Sequence, residues 1–229
     1  MSETLILIPG FANDERVWKH QIENLKGAFD VRVFVMDRFS SRQEMVEYLL
    51  KHSPKRFILA GHSMGGWVAQ AAAAFGNERV TKLLLLNTWA TLDSQMIQMQ
   101  TQISQALKRG RVEEIMQQYL KMLVHPSRLS DPHLIQTLQA MATHFPPSTL
   151  LNQIKAMLED SSSLHYHSSI QAPTLVLYSQ QDALFPQQHE VLLTGIKNSI
   201  SAAIEECGHA SLAEKPEEIT RHLLSFAQK

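Results

Sequence analysis

Cysteine is almost missing: Cys207 is the one thiol among 229 residues. A lone thiol forms neither an intrachain disulfide nor a multi-cysteine zinc site, so a stapled secreted scaffold is excluded. An excess of charge is missing too, with 21 Lys and Arg against 22 Asp and Glu for a net charge of −1. Such a balance provides no field to attract nucleic acid or an anionic membrane, so neither is an expected partner. Long apolar runs are also absent. The run Leu5 to Ile8 follows the acidic start Met1-Ser2-Glu3-Thr4 and stops at Pro9-Gly10, so it reads as neither a secretion signal nor a membrane span. A cytoplasmic location is the expectation, with export by another route left open. What is present, 44% hydrophobic and 19% charged residues, excludes disorder and collagen-like structure. The length fits a single domain with a large core.

Short apolar runs alternate with helical stretches at the start of the chain. Thr4–Ile8, Val31–Met36, Phe57–Ala60 and Lys82–Asn87 read as strands apolar on both faces. Arg42–Lys51 carries Met45, Val46, Leu49 and Leu50 on one helical face, and the alanine-rich Met64–Phe75 reads as a helix lying close to a sheet. The alternation resumes late, with strands at Thr174–Tyr178 and Ile200–Ile204. Helices are expected there at Gln187–Thr194 and Ser211–Ala227, the latter interrupted by Pro216. This predicts an α/β fold whose mainly parallel sheet of about six strands is flanked by helices.

Between these halves, residues 88–172 show no strand. Helical windows lie at Ser94–Lys108, Val112–Leu123, Pro132–Thr143 and Ser148–Leu158. The expected division is a core of residues 1–87 and 173–229 with a helical cap at 88–172. Met96, Met99, Met116, Met122, Met141 and Met157 fall in the insert, where they suit either an adaptable apolar pocket or an ordinary core.

Gly61-His62-Ser63-Met64-Gly65 joins a strand to a helix, the context in which a G-x-S-x-G pattern carries chemistry. Glycines two positions either side of Ser63 allow a strained turn that lifts its hydroxyl to a helix N-terminus. A serine nucleophile needs a base, and the base an orienting acid, following here in the order acid then histidine. Asp182 follows the strand ending at Tyr178, and His209, in Cys207-Gly208-His209, follows the last strand.

With these residues in place the chain resembles the α/β-hydrolase superfamily, in its capped carboxylesterase form. The similarity runs from Pro9-Gly10-Phe11 through Gly61–Gly66 and Asp182 to Gly208-His209 and Glu214-Lys215-Pro216. The resemblance implies Ser63 as nucleophile, His209 as general base and Asp182 as its orienting acid. It implies an oxyanion hole from the backbone N–H groups of Met64 and Phe11, although Pro9 stands where many relatives have histidine. No cofactor or metal is implied. The implied reaction is cleavage of small carboxylic esters of short to medium acyl length through an acyl-enzyme. A thioesterase or carbon–carbon bond hydrolase would use the same triad, and a small-ligand receptor could retain it.

The stretch Pro9 to Trp18 is similar to the opening of esterases that demethylate pimeloyl-acyl-carrier-protein. That makes acyl carrier protein a candidate partner, with Lys108, Arg109 and Arg111 as the basic cluster available on a charge-balanced insert. Other polar residues carry plainer expectations. The His62 side chain is expected to point away from the nucleophile and to serve the structure, Asp37 to cap a turn and Cys207 to be buried. His165-x-His167 has a spacing that could bind a metal, but a surface loop is the expectation, and Trp18 is expected to pack the first helix against the oxyanion loop. The Phe11 ring either borders the acyl pocket or covers the sheet edge. Oligomeric state is not legible.

Overall fold

The structure, a computed structural model, describes residues 2–186 and 188–229. Six strands form one sheet: β1 (Thr4–Ile8), β2 (Asp30–Val33), β3 (Phe57–His62), β4 (Val80–Leu86), β5 (Thr174–Ser179) and β6 (Ser199–Ile204). Their order is β2-β1-β3-β4-β5-β6, and every pairing is parallel. Every residue of β1 and β3 is buried, as expected of strands covered by helices on both faces. β2 stops short of the expected Met36. Its sole neighbour β1 gives way to Pro9, which has no N–H to offer, and Phe34 N–H makes a last bond to the Leu7 carbonyl at 3.0 Å.

Around the sheet lie α1 (Lys19–Leu25), α2 (Arg42–His52) and α3 (Met64–Gly76) from the first half. Ser41 and Glu44 close a reciprocal capping box at the start of α2, which fixes where that helix begins. Between β4 and β5 come α4 (Ser94–Lys108), α5 (Val112–Leu123), α6 (Pro132–Ala142), α7 (Pro147–Glu159) and α8 (Leu164–His167). The second half adds α9 (Gln188–Gly195), α10 (Ser211–Glu214) and α11 (Pro216–Ala227). The helix expected from Gln187 starts, among the described residues, at Gln188; Gln187 itself lies outside them. Proline 216 separates α10 from α11, because it cannot continue the preceding turn.

The two ends of the helical insert meet at a narrow neck. Thr91 and Ser162 form an antiparallel bridge, and Leu92 N–H reaches the Ser161 carbonyl at 2.9 Å. Arg42, 2% exposed, grips this neck from α2. Its guanidinium donates to Asp160 at 2.7 Å, the Ser163 hydroxyl at 2.7 Å and the Ser162 carbonyl at 2.8 Å. It also lies over the rings of Trp67 and Tyr166, at 4.5 and 4.8 Å from their centroids. This arginine is buried because every face of it is satisfied.

α8 corrects a sequence expectation. His167 is 3% exposed instead of lying on a surface loop, and its Nε2 meets Gln70 Oε1 at 2.9 Å. Burial pushes its pKa down to about 4, so it stays neutral. Among the described residues no helix is long and apolar enough to cross a membrane.

Candidate active site

Ser63 stands between the end of β3 and the start of α3 with φ of +53°, a left-handed conformation that a residue with a Cβ adopts only under constraint. Two glycines make the turn possible. A Cβ on Gly61 would lie 2.3 Å from the Gly65 carbonyl oxygen, and one on Gly65 would lie 2.2 Å from that of Ile8. Ser63 N–H bonds to the Leu86 carbonyl at 2.9 Å, and the Thr88 hydroxyl donates to the Ser63 carbonyl at 2.7 Å. The strain is therefore held by β4 and the residues just after it.

Ser63, His209 and Asp182 come together in one line. His209 Nε2 lies 2.9 Å from Ser63 Oγ, and His209 Nδ1 lies 2.9 Å from Asp182 Oδ2. All three residues are buried. Burial alone would raise the Asp182 carboxyl, but the His209 ring, the Asn87 amide and the Leu184 N–H hold it below its ordinary value. A carboxylate facing Nδ1 keeps the proton on that nitrogen and leaves Nε2 to accept from the Ser63 hydroxyl.

Two backbone donors complete the arrangement. Phe11 and Met64 are 4% and 1% exposed, and among the described residues neither N–H finds a protein acceptor. Both flank Ser63: Met64 follows it in the chain, and the Phe11 loop closes over it, with a Cβ at Gly10 falling 3.1 Å from Ser63 Cβ. Buried N–H groups left without partners beside a serine hydroxyl suit a site where negative charge develops.

The walls over Ser63 leave little space. Phe11, Val17, Tyr119, Leu123 and Leu138 enclose a cavity of about 10 Å³ together with Ser63 and His209, room for about one water. Tyr119, from α5, meets the Phe11 ring edge-on with centroids 5.8 Å apart. Burial and the nearby Asp182 carboxylate raise its pKa, so the phenol stays protonated. The Phe11 ring therefore borders this cavity. None of the methionines of the insert lines it. Met96, Met116, Met141 and Met157 are buried in the core, while Met122 is 42% exposed. The adaptable methionine wall considered above is thus replaced by leucine and aromatic side chains.

A model of the alpha/beta hydrolase fold matches residues 3–216. The chain belongs to the α/β-hydrolase fold family. A pimeloyl-acyl-carrier-protein methyl ester esterase from Pectobacterium carotovorum is 26% identical to it over 243 residues, covering 98% of this chain and 94% of that protein. A 2-hydroxy-6-oxononadienedioate/2-hydroxy-6-oxononatrienedioate hydrolase from Burkholderia vietnamiensis is 30% identical over 183 residues, covering 76% of this chain and 63% of that protein. Among solved structures, a thermophilic esterase from Thermogutta terrifontis matches with a TM-score of 0.87 at 25% identity, covering 100% of this chain and 90% of that one.

Within this α/β-hydrolase fold, several site residues escape sequence reading. Asn87, at φ of +43°, donates to Asp182 Oδ2 at 2.9 Å and to the Ser179 hydroxyl at 3.0 Å, and accepts from Ser211 at 2.6 Å. Glu214, 4% exposed, accepts Gly208 N–H at 3.0 Å and His125 N–H at 2.8 Å. It thereby ties the loop of His209 to the segment after α5, and Ala210 N–H adds a bond to the Leu123 carbonyl at 2.8 Å.

His62 has a structural contact, as a residue outside the chemistry should, but its expected direction is corrected. Its ring does not turn away from the site but donates from Nε2 to the backbone carbonyl of His209 at 2.9 Å. Burial, with His209 close by, pushes its pKa down to about 3, so it stays neutral. Cys207 is buried as expected, and burial pushes its thiol up to about 12, far from a reactive thiolate. Among the described residues no group of three or more His, Cys, Asp or Glu could hold a metal. Of the basic cluster, Arg111 is ion-paired with Glu114, while Lys108 and Arg109 stand exposed.

Proposed function

We propose that this chain is a serine hydrolase cleaving carboxylic esters of short to medium acyl length through an acyl-enzyme. The observation that carries the reading is the unbroken hydrogen-bonded line from Ser63 Oγ through His209 to Asp182, with both contacts at 2.9 Å. Ser63 Oγ attacks the ester carbonyl carbon while His209 Nε2 takes its proton. The carbonyl oxygen becomes an oxyanion held by the N–H groups of Phe11 and Met64. His209, now charged, is stabilised by Asp182 and returns the proton to the departing alkoxide. A water that gives its proton to His209 then attacks the acyl-enzyme, and the acid leaves as Ser63 recovers its hydrogen.

Residues 88–172 act in this reading as a cap. They leave β4 and return at β5, so they emerge at the carboxyl ends of the strands where Ser63 stands. Tyr119, Leu123 and Leu138 then form the wall met by the acyl chain, and these side chains must make room to admit an ester into so small a cavity. Esters of graded acyl length, assayed with the parent and with Ser63→Ala, test the proposal. Enzyme-like turnover lost in Ser63→Ala supports it. Stoichiometric capture with barely detectable turnover would favour a ligand receptor.

A narrower reading is a methyl ester esterase acting on an acyl group held by a carrier protein. It is supported by the 26% identity to the Pectobacterium enzyme across 98% of this chain. Arg111 spends its charge on Glu114, which leaves Lys108 and Arg109 to meet an acidic carrier. A carrier-linked methyl ester hydrolysed far faster than the free one would favour this reading; equal rates would dismiss it.

A further inference from the structure

Ala12 holds φ of +57°, a left-handed conformation that costs free energy for any residue with a Cβ unless its surroundings fix it. What fixes it comes from the helical insert. Gln153 of α7, 1% exposed, accepts the Ala12 N–H on Oε1 at 3.2 Å. Its Nε2 donates to the Met36 carbonyl, just beyond the end of β2, at 3.0 Å. With both ends engaged, the amide cannot turn over without setting donor against donor and acceptor against acceptor. From the other side, Asn13 Nδ2 donates to the Phe11 carbonyl at 3.1 Å, and Asn13 N–H reaches the Gly10 carbonyl at 3.3 Å. The Ala12 N–H is thus taken, and the Phe11 N–H remains the open donor beside Ser63.

We propose that Gln153 is a positioning residue of the oxyanion hole, holding the Phe11 N–H in place through the Ala12 peptide. This rests on the reading of Ser63 as nucleophile and Phe11 N–H as an oxyanion donor. The helices between β4 and β5 then do more than shape the acyl pocket: one of them maintains half of the machinery that stabilises the transition state. A capless chain would accordingly lose rate on every ester, whatever its length.

Gln153→Met keeps the length and removes both hydrogen bonds. The expected result is a kcat lower by about 10²-fold, the loss typical of removing one oxyanion donor. KM should stay within about threefold, because contacts made in the ground state are untouched. Affinity for a trifluoromethyl ketone, whose adduct with Ser63 carries an oxyanion, should fall by a similar factor, and that for the matched methyl ketone should not. Gln153→Glu should recover most of kcat, since burial favours the protonated carboxyl, which offers a C=O to Ala12 and an O–H to Met36. A raised KM with kcat unchanged, equal losses for both ketones, or Gln153→Glu as impaired as Gln153→Met would each overturn the proposal. Should Gln153→Met not fold, Gln153→Asn, one methylene too short for Ala12, is judged by the same criteria. Turnover surviving in Ser63→Ala would defeat the underlying reading, whereas its loss there beside a fully active Gln153→Met would defeat only this one.

Discussion

Asn87 Nδ2 donates to Asp182 Oδ2 at 2.9 Å, the same oxygen that faces His209 Nδ1 at 2.9 Å. The last residue before the insert thus helps set the charge and direction of the carboxylate that faces the histidine. Asn87→Gly removes this bond together with those to Ser179 and Ser211 without straining the backbone, because glycine tolerates the φ of +43° that Asn87 holds. Losing a hydrogen bond to a charged group costs about 1.5–3 kcal/mol, which predicts roughly a 10- to 100-fold fall in kcat with KM little changed. Steady-state kinetics on one short ester check it.

Ser63→Ala and His209→Ala should each lower ester turnover by about 10³-fold or more, with the double variant little worse than either, because nucleophile and base work as one unit. Asp182→Asn should keep the fold and lose roughly 10⁴-fold in kcat, since the amide favours the wrong histidine tautomer. Nearly additive losses, or full activity in Asp182→Asn, would exclude a shared proton-transfer unit.

Much of the fold is legible in the sequence alone. The runs Thr4–Ile8 and Phe57–Ala60 are apolar on both faces, a pattern that only a covered parallel strand requires. Helices α4 and α5 begin and end where their periodicity does, at Ser94–Lys108 and Val112–Leu123. Ser63, Asp182 and His209 were visible because a strained turn and two strand ends leave local marks. Asn87, Gln153 and Arg42 leave none, and Glu214 shows only as part of the run Glu214-Lys215-Pro216, with no role attached. Each is an ordinary polar residue locally, and its role arises from partners distant in the chain, as Gln153 reaches Ala12. The methionines left pocket and core open for a related reason: composition does not tell which way a side chain faces, and here most of them face the core.

Tyr119→Ala should open the cavity over Ser63 and move the best acyl length upward. Each methylene entering the vacated space adds about 0.8 kcal/mol, or about fourfold in kcat/KM, until the new wall is met. A ladder of acyl lengths assayed on parent and variant reads the shift directly, and an unchanged optimum would mean that the acyl chain lies elsewhere.

Two buried carboxyls act on acid stability with opposite sign. The folded pKa of Asp182 lies below its ordinary 3.8, so its contribution is full above that value and is lost as pH falls through the folded one. Glu214 is raised above its ordinary 4.5, chiefly by burial, so the folded chain holds its proton more tightly than the unfolded chain. Its ionisation therefore removes stability as pH rises through the window above 4.5. In urea titrations, the stability of the parent minus that of Glu214→Gln should decline across that window. A difference that rises with pH would contradict the assignment.

The central claim is that Ser63 forms a covalent acyl intermediate, and trapping that intermediate tests it most directly. The protein is mixed with a short-chain nitrophenyl ester, quenched in acid during the first turnovers and digested for peptide mass spectrometry. A burst of nitrophenol and an acyl group on the peptide bearing Ser63 are expected, with neither seen in Ser63→Ala. An acyl group on another residue, or undiminished turnover in Ser63→Ala, would contradict it.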